Sequence, residues 1–280
     1  LRTINQCFIR HWVDLRILDK DVLGLQERLF DDTEKQPIDL TKRTLVRIFT
    51  INSFEEGGRF YRVWWQNVPS EYRKFITIDG KSTTEYDFSQ LNPNMIYNRY
   101  NHELGSVDAY DRVLDGEHRK IVKQAFNAMM QAKKDIGKKP KKINLDEVGM
   151  SWKELKEAIL KAHKPIKDLF FTGLGNRLQF EDSQIAENVM LQFAKMDAPA
   201  LPIHDSFIMH HGFSTYGELE EAMRRAYHDR FHTNIKVKGD MVVQVKPSKD
   251  FADISVDGII KADNDYSQWR DRDDMWMSRK

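Results

Sequence analysis

The sequence predicts an α+β fold in which helices pack against an antiparallel sheet. Short strand patterns and longer helical patterns interleave along the chain, and strong turn signals such as Asp79-Gly80 separate neighbouring strands. Hydrophobic residues make up 40% of the 280 residues and aromatic residues 11%, a composition typical of a folded globular protein. This length allows one large domain or two small ones, each with a substantial core.

The first hundred residues read as helices followed by a hairpin. Residues 1 to about 48 are predicted to be mainly helical, and Ser53–Gly58 is predicted to form a turn. Alternating apolar residues predict two strands, Phe75–Asp79 and Thr83–Phe88, joined by an Asp-Gly turn. Pro93 fits the first turn of the helix that follows.

The rest of the chain reads as helices with two further strand pairs. A helix is predicted from Glu117 to about Lys133, and another starts at the Ser151–Glu154 capping box and runs to about Phe170. Apolar residues recur every four positions in Ser183–Met196, as in an amphipathic helix. The remaining predicted elements are strands Ala200–His204 and Phe207–His211, a helix capped at 215–218, a hairpin over 234–245 and a polar tail from 262.

Charge is distributed unevenly along the chain. The formal net charge is only +1, which argues against a wholly basic nucleic-acid coat protein or an acidic tail protein. Between His118 and Lys167, however, fourteen Lys and Arg stand against five Asp and Glu, and six lysines lie between Lys133 and Lys142. Gly137 and Pro140 interrupt that lysine run, so we expect an exposed loop. The excess of positive charge indicates a surface for a polyanion.

Cysteine content and hydropathy exclude other classes. A single cysteine, Cys7, excludes a disulfide framework and any cysteine-based zinc site within one chain. No run of eighteen apolar residues and no signal-peptide pattern occurs, which predicts an intracellular protein without a membrane span.

Two aspartates stand at predicted strand ends. Asp87 ends the Thr83–Phe88 strand, and Asp205 follows the apolar run Leu201–Ile203 at the tip of a predicted hairpin. Two carboxylates fixed on neighbouring strands could hold a pair of Mg²⁺ or Mn²⁺ ions for phosphoryl transfer. Either aspartate alone would more often be an ordinary turn residue.

The helix starting near Glu117 carries a second set of candidates. Arg119 and Lys123 are four residues apart and share a helical face with Phe126 and Asn127. Such a face could hold a triphosphate by charge and a base or sugar by packing.

Taken in order, these segments resemble family A DNA polymerases and the single-subunit, phage-type RNA polymerases. The likeness covers about residues 57 to 211. Its segments are Gly58-Arg59, Gln66-Asn67-Val68-Pro69, Arg73, a motif A-like Asp87-Phe88-Ser89-Gln90-Leu91, a motif B-like Arg119–Asn127 and a motif C-like Ile203-His204-Asp205-Ser206-Phe207. The DNA enzymes usually have His-Asp-Glu in motif C, and the RNA enzymes have His-Asp-Ser, as here.

The resemblance implies roles for individual residues. It implies that Asp87 and Asp205 bind two metal ions, with the Phe88 carbonyl as an additional candidate ligand. The implied nucleotide contacts are Arg119, Lys123, Phe126, Asn127, Gln90, Asn92 and Tyr110. The implied contacts to primer–template are Arg59, Gln66, Asn67, Arg73 and His204, and the lysine run adds Lys138, Lys139, Lys141 and Lys142.

Three departures from the family pattern bear on its activity. Asn92 stands where the DNA polymerases have a glutamate that excludes ribonucleotides. Gln131 and Ala132 replace the Tyr-Gly end of motif B, and Tyr110 falls where the family has a histidine, which makes it a candidate phosphate contact. Sugar choice and fidelity are therefore open.

The resemblance implies a minimal right-hand polymerase. Its expected parts are an N-terminal helical, thumb-like region (1–54), a palm (55–100 and 175–250), fingers (101–174) and a polar tail (251–280). We expect a bacterial or phage-type DNA polymerase without proofreading, with low processivity or a replication partner, acting on primer–template and nucleoside triphosphates. The alternatives are a primase-like or RNA polymerase and, in another class, a non-catalytic nucleic-acid-binding palm subunit.

Overall fold

A computed structural model of the chain describes residues 1–31, 36–50, 53–215 and 217–239. Its helices are α1 Arg2–Arg10, α2 Asp19–Asp31, α3 Ser70–Arg73, α4 Leu91–Arg99, α5 Arg119–Gln131, α6 Trp152–Ala162, α7 Leu174–Ala194, α8 His211–Thr215 and α9 Glu218–Phe231. Its strands are β1 Val13–Leu15, β2 Val46–Phe49, β3 Gly57–Tyr61, β4 Ile76–Ile78, β5 Lys81–Phe88, β6 Leu201–Ile203, β7 Ser206–His210 and β8 Val237–Gly239. Short 3-10 helices cover Trp64–Asn67, Leu114–Gly116 and Lys164–Leu169. The fold is therefore mixed α and β, as predicted.

An antiparallel sheet forms the centre of the molecule. Its strands follow the order β1-β4-β5-β7-β6, and β8 also pairs with β5. The eight-residue β5 is the common member: its start pairs with β4, its middle with β7 and its end with β8. β2 and β3 form a separate two-stranded sheet. This order places the end of β5 and the start of β7 side by side.

The predicted Asp-Gly hairpin is confirmed. Ile78 of β4 pairs with Lys81 of β5, so the loop consists of Asp79 and Gly80 alone. Both residues have positive φ, 51° and 72°, which matches the right-handed twist of the flanking strands. The hairpin thereby fixes the position of β5, which carries Asp87, in the central sheet.

The N-terminal region is not purely helical, which corrects the prediction for residues 1–54. Val13–Leu15 pairs with β4 and extends the central sheet, and Val46–Phe49 pairs with β3. β3 itself begins at Gly57, inside the predicted turn. β1 has only three residues, all buried, so it is too short to show the alternation by which a strand is recognised.

The long helix α7 is the centre of the core. It packs against β3, α9, α1 and α5, and buried residues of the whole domain form one apolar cluster around it. It begins at Leu174, nine residues before the predicted start at Ser183. Glu181, Asp182 and Ser183 are buried although polar, and they interrupt the apolar periodicity on which the prediction depended.

One further prediction needs correction at its end. The helix with the Ser151 capping box ends at Ala162, and Pro165 lies in the 3-10 helix that follows, where a regular helix would lose a hydrogen bond. The first arm of the predicted hairpin over 234–245 contains β8, which pairs with β5, and the second arm lies outside the described residues. Residues 240–280, including the predicted polar tail and the end of the predicted palm, lie outside the described residues. Among the helices of the described ranges, none is long and apolar enough to span a membrane.

Candidate active site

Asp87 and Asp205 lie next to each other at one end of the sheet. Asp87 is the penultimate residue of β5, and its partner across the strands is Ser206, the first residue of β7. Asp205 comes directly before Ser206, in the two-residue loop between β6 and β7. The backbone amide of Phe88 donates a hydrogen bond to the carbonyl of Asp205 at 3.5 Å. Strand pairing therefore joins two carboxylates that are far apart in the sequence.

The nearby carboxylate of Asp205 affects the pKa of Asp87. Loss of hydration, followed by the negative charges of Asp205 and Glu85, raises the pKa of Asp87 to about 7. Lys123 and Lys238 act in the opposite direction, and Lys238 is the cross-strand partner of Asp87 on β8. Asp87 keeps solvent-accessible surface, so a ligand can reach it. In the described part of the chain, neither Asp87 nor Asp205 accepts a side-chain hydrogen bond at its carboxylate.

Strained backbone flanks both aspartates. His204 has φ 55° and Gln90 has φ 54°, values that non-glycine residues rarely adopt. The side-chain oxygen of Gln90 accepts the backbone N–H of Ala109 at 2.5 Å, which fixes the segment before α5 against the end of β5. His204 has exposed surface. Partial loss of hydration nevertheless lowers the pKa of its ring, and the positive charge of Arg59 lowers it further. Such conformations concentrate at functional sites, where the surrounding structure holds them in place.

A third carboxylate lies behind the pair. Asp182 of α7 is 2% exposed and accepts a hydrogen bond from Arg59 Nε at 2.6 Å. Burial raises the pKa of Asp182 to about 6, Arg59 opposes that rise, and the negative charge of Asp205 adds to it. Arg59 is thus an ion-pair partner of Asp182 in this structure, and Asp205 also stabilises its charge. The Asp182 contact uses Nε of Arg59, and the Arg59 side chain keeps 22% of its surface exposed.

Lys123 and Arg119, the basic residues of α5 that are predicted to contact nucleotide, differ in their ion pairs. Lys123 is exposed and lies within electrostatic range of Asp87. Arg119 is held by two carboxylates, with its Nη2 2.7 Å from Asp108 Oδ2 and its Nε 3.5 Å from Asp111 Oδ1. Its guanidinium also lies 5.2 Å from the ring centre of Tyr110. Because Arg119 is 45% exposed, a triphosphate could compete for it.

Tyr110 and Phe126, both predicted nucleotide contacts, are buried in this structure. Tyr110 is 2% exposed and Phe126 is fully buried, and their rings meet edge to face with centres 5.6 Å apart. Phe126 also packs against His163 and Phe170. The hydrophobic face of α5 is turned towards the core, because a helix beside α6 and α7 must bury its apolar side.

Asn92 and Asn127 meet beside a small cavity. The Nδ2 of Asn92 lies 3.4 Å from the Oδ1 of Asn127. The cavity has a volume of about 190 Å³ and is lined by these two residues together with Arg59, Met130, Gln131, Gly175, Leu178 and Gln179. The structure therefore places Asn92, the predicted sugar-discriminating position, beside α5 and α7.

Arg73, Gln66 and Asn67 are engaged in internal hydrogen bonds. Arg73 donates from Nε to the carbonyl of Val68 and from Nη1 to Glu85 at 3.0 Å. The side-chain nitrogen of Gln66 donates to the carbonyls of Phe60 and Pro202, and that of Asn67 donates to the carbonyl of Pro37. Gln66 and Asn67 nevertheless line a groove of about 640 Å³ with His204, Lys42, Arg62, Gln36, Ile48 and Tyr61.

The lysine run is an exposed loop between α5 and α6, as predicted. Lys138, Lys139, Lys141 and Lys142 are all exposed. Within the loop, Nζ of Lys139 donates a hydrogen bond to the carbonyl of Ile143 at 2.9 Å. Lys156 and Asp135 form an ion pair that anchors the loop to α6. This loop therefore presents positive charge on a fixed backbone.

Three residues of the site were missed by sequence reasoning. Glu85 accepts hydrogen bonds from Ser206 Oγ at 2.5 Å and from Arg73, and it connects β5 to β7 beside Asp87. Asp182 and Lys238 join the site only through α7 and β8. Glu85 lies two residues before Asp87 on the same face of a strand, a spacing that could have identified it. No local signal marks Asp182 or Lys238.

Comparisons with known proteins gave weak structural likenesses alone. No family model and no curated protein matches the sequence. A solved structure, the POL domain of Pol1 from M. smegmatis in complex with DNA primer-template and dNTP, superposes with a TM-score of 0.47 at 14% sequence identity. The match covers 79% of this chain and 50% of that one, so the chain spans half the length of that domain.

Proposed function

We propose that the chain is a template-directed nucleic-acid polymerase that adds nucleotides to a 3′-hydroxyl. The observation that carries this proposal is the pairing of β5 with β7, which brings Asp87 of the motif A-like segment beside Asp205 of the motif C-like segment. The positive charge of Lys123, on the motif B-like helix, favours the ionised form of Asp87. Three segments whose order resembles that of a polymerase thus converge on one place in the fold.

The donor set fits two Mg²⁺ or Mn²⁺ ions. These cations prefer a few carboxylate oxygens together with water and phosphate oxygens. Asp87 and Asp205 would hold them, since both carboxylates lack hydrogen-bond donors among the described residues and Asp87 has an elevated pKa. Bound ions would neutralise the charge of the transferring phosphate and of the attacking oxygen.

The remaining residues would position the substrates. Lys123 and Arg119 would bind the triphosphate by charge, and release of Arg119 from Asp108 would accompany that binding. Asn92 would lie near the sugar of the incoming nucleotide. The primer end would enter the groove lined by His204, Gln66 and Asn67. Catalysis of this kind depends mainly on positioning and charge neutralisation.

A primer-extension assay tests this proposal. Asp87→Asn and Asp205→Asn should each reduce synthesis by at least about a hundredfold, because each removes a metal ligand. Asp168→Asn is the matched control, since Asp168 is an exposed aspartate in the 3-10 helix Lys164–Leu169. Undiminished synthesis by Asp205→Asn would refute the site. Binding of primer–template by the parent chain without any synthesis would favour the non-catalytic palm subunit.

DNA synthesis is the first candidate and RNA synthesis the second. The segments Asp87–Leu91 and Gln66–Pro69 resemble the DNA enzymes most closely. Asn92 favours the second candidate, since its neutral amide contacts Asn127 where the DNA enzymes have a carboxylate. Parallel assays with dNTPs and NTPs decide between them, and a clear preference for NTPs would replace the first candidate by a primase-like or RNA polymerase.

A further inference from the structure

Three potential metal ligands from distant parts of the chain converge on the side of α1. The thiol of Cys7, a ring nitrogen of His11 and a carboxylate oxygen of Asp197 all lie within 4.8 Å of one another. Cys7 lies in α1, and His11, four residues later, is the residue that follows the C-terminal end of this helix. Asp197 follows α7 in the loop before β6, and Cys7 is buried.

His11 has the second hydrogen bond that metal-binding histidines usually make. Its Nδ1 lies 2.5 Å from Asp79 Oδ2, and the other oxygen of Asp79 accepts the backbone N–H of Trp12 at 2.8 Å. This carboxylate fixes the ring and directs Nε2 towards the cluster. Nε2 is buried and lies 3.5 Å from Asp197 Oδ1.

Two carboxylates and two arginines surround the cluster. Asp79 and Asp197 face His11 from opposite ring nitrogens. Arg10 opposes metal binding, because its Nε and Nη2 both bind Asp197 Oδ1, at 2.9 Å and 2.5 Å. Arg43 contributes a second positive charge by donating to the carbonyl of His11. A metal ion would therefore have to share or displace the arginine at Asp197.

We propose that Cys7, His11 and Asp197 bind one Zn²⁺-class cation, which fastens α1 to the loop between α7 and β6. A thiolate, an imidazole and a carboxylate suit Zn²⁺, with water as the fourth ligand, and do not suit Mg²⁺. The site is separate in chemistry from Asp87 and Asp205. Through Asp79 the ion would also hold the β4–β5 turn, so it would restrain the turn that leads into β5 and the loop that leads into β6. Such a site would contradict the exclusion of cysteine-based zinc sites that the cysteine count predicts.

Titration of the metal-free full chain with Co²⁺ tests the site. A thiolate-to-cobalt charge-transfer band is expected in the near ultraviolet at one equivalent, and Zn²⁺ but not Mg²⁺ should remove it. Since Cys7 is the single cysteine of the chain, any such band reports this residue. The absence of a band would overturn the proposal.

Variants assign the other ligands. His11→Gln and Asp197→Ala should each weaken Co²⁺ binding at least tenfold, and Asp79→Asn about 10–100-fold. Arg10→Gln should strengthen it, because a competing cation leaves Asp197. His102→Gln, a change at an exposed histidine, is the control and should have no effect. Unchanged affinity in both His11→Gln and Asp197→Ala would overturn the site, and a Zn²⁺-induced rise in melting temperature that they abolish would support it.

Discussion

The ionised form of the Asp87 side chain is less favourable in the folded chain than in the unfolded chain. Dehydration and the neighbouring Asp205 raise its pKa to about 7. The folded state therefore holds the proton that the unfolded chain releases at about pH 4. The contribution of Asp87 to the free energy of unfolding is therefore fully present below about pH 4 and is lost as the pH rises through about 7. A divalent cation would remove the conflict by compensating both charges.

We predict that Asp87→Asn stabilises the metal-free protein at about pH 8 while it abolishes synthesis. The melting temperature in EDTA should rise by about 1–3 °C at that pH and change little near about pH 3, where Asp87 is mostly protonated in both states. Asp182, whose pKa is also raised, affects parent and variant alike. An equal shift at both pH values would contradict the argument, and Mg²⁺ should stabilise the parent but not the variant.

Arg119 is restrained by carboxylates that a triphosphate must replace. Asp108 holds Nη2 at 2.7 Å, and this pair raises the pKa of Arg119. We predict that Asp108→Asn lowers the KM for nucleotide several-fold with a smaller effect on kcat, because the arginine no longer has to leave a partner. Steady-state primer extension measures both constants. Asp115→Asn is the control, since Asp115 is exposed, and a raised KM in Asp108→Asn would show that the carboxylate positions Arg119 instead.

At the scale of elements, α7 is connected to its neighbours by a buried carboxylate. Glu181 is 2% exposed, and its two oxygens pair with Arg99 at the end of α4 and Arg230 at the end of α9. One side chain therefore joins three helices. The same helix presents Asp182 to Arg59, so its polar residues set both the packing and the back of the candidate site.

We predict that Glu181→Gln lowers the free energy of unfolding by about 2 kcal/mol, because it leaves two arginines without their shared partner. Both arginines reach water in part, which limits the cost. Urea denaturation measures the change. Glu157→Gln is the control, because its i, i+4 pair with Lys153 is exposed and contributes little. Equal stability of the two variants would mean that the helices hold without this cluster.

At the scale of the whole molecule, a net charge of +1 conceals a basic face. The loop between α5 and α6 and its flanks carry the excess, and the candidate metal-binding carboxylates lie in the acidic remainder. A polyanion should therefore contact the molecule through that loop first, and its affinity should fall with salt.

We predict that replacing Lys138, Lys139, Lys141 and Lys142 by glutamine flattens the salt dependence of primer–template binding. The slope of log K against log salt should fall by about 0.9 for each phosphate that the variant no longer neutralises. The control replaces Lys20, Lys74, Lys164 and Lys195, which are exposed and give the same change in net charge. If both variants lower the slope equally, the loop has no special role.

The sequence alone was sufficient for features that depend on neighbouring residues. The Asp79-Gly80 turn, β5, the Ser151 cap and the β6–β7 loop follow from local turn and capping chemistry, and the structure contains each of them. The candidate metal carboxylates were also identified from sequence, since both stand at strand ends in segments resembling polymerase motifs. Their proposed role stays a prediction that the assays above test.

Only the tertiary structure decided which of these groups are available. It buries Tyr110 and Phe126, pairs Arg59 with Asp182 and Arg73 with Glu85, and brings Lys238 to Asp87. It also brings Asp197 to Cys7 and His11, and no sequence spacing indicates that meeting. The physical reason is that local sequence sets backbone conformation, whereas burial and charge pairing depend on strands and helices that are distant in the chain and meet only when the sheet and α7 pack together.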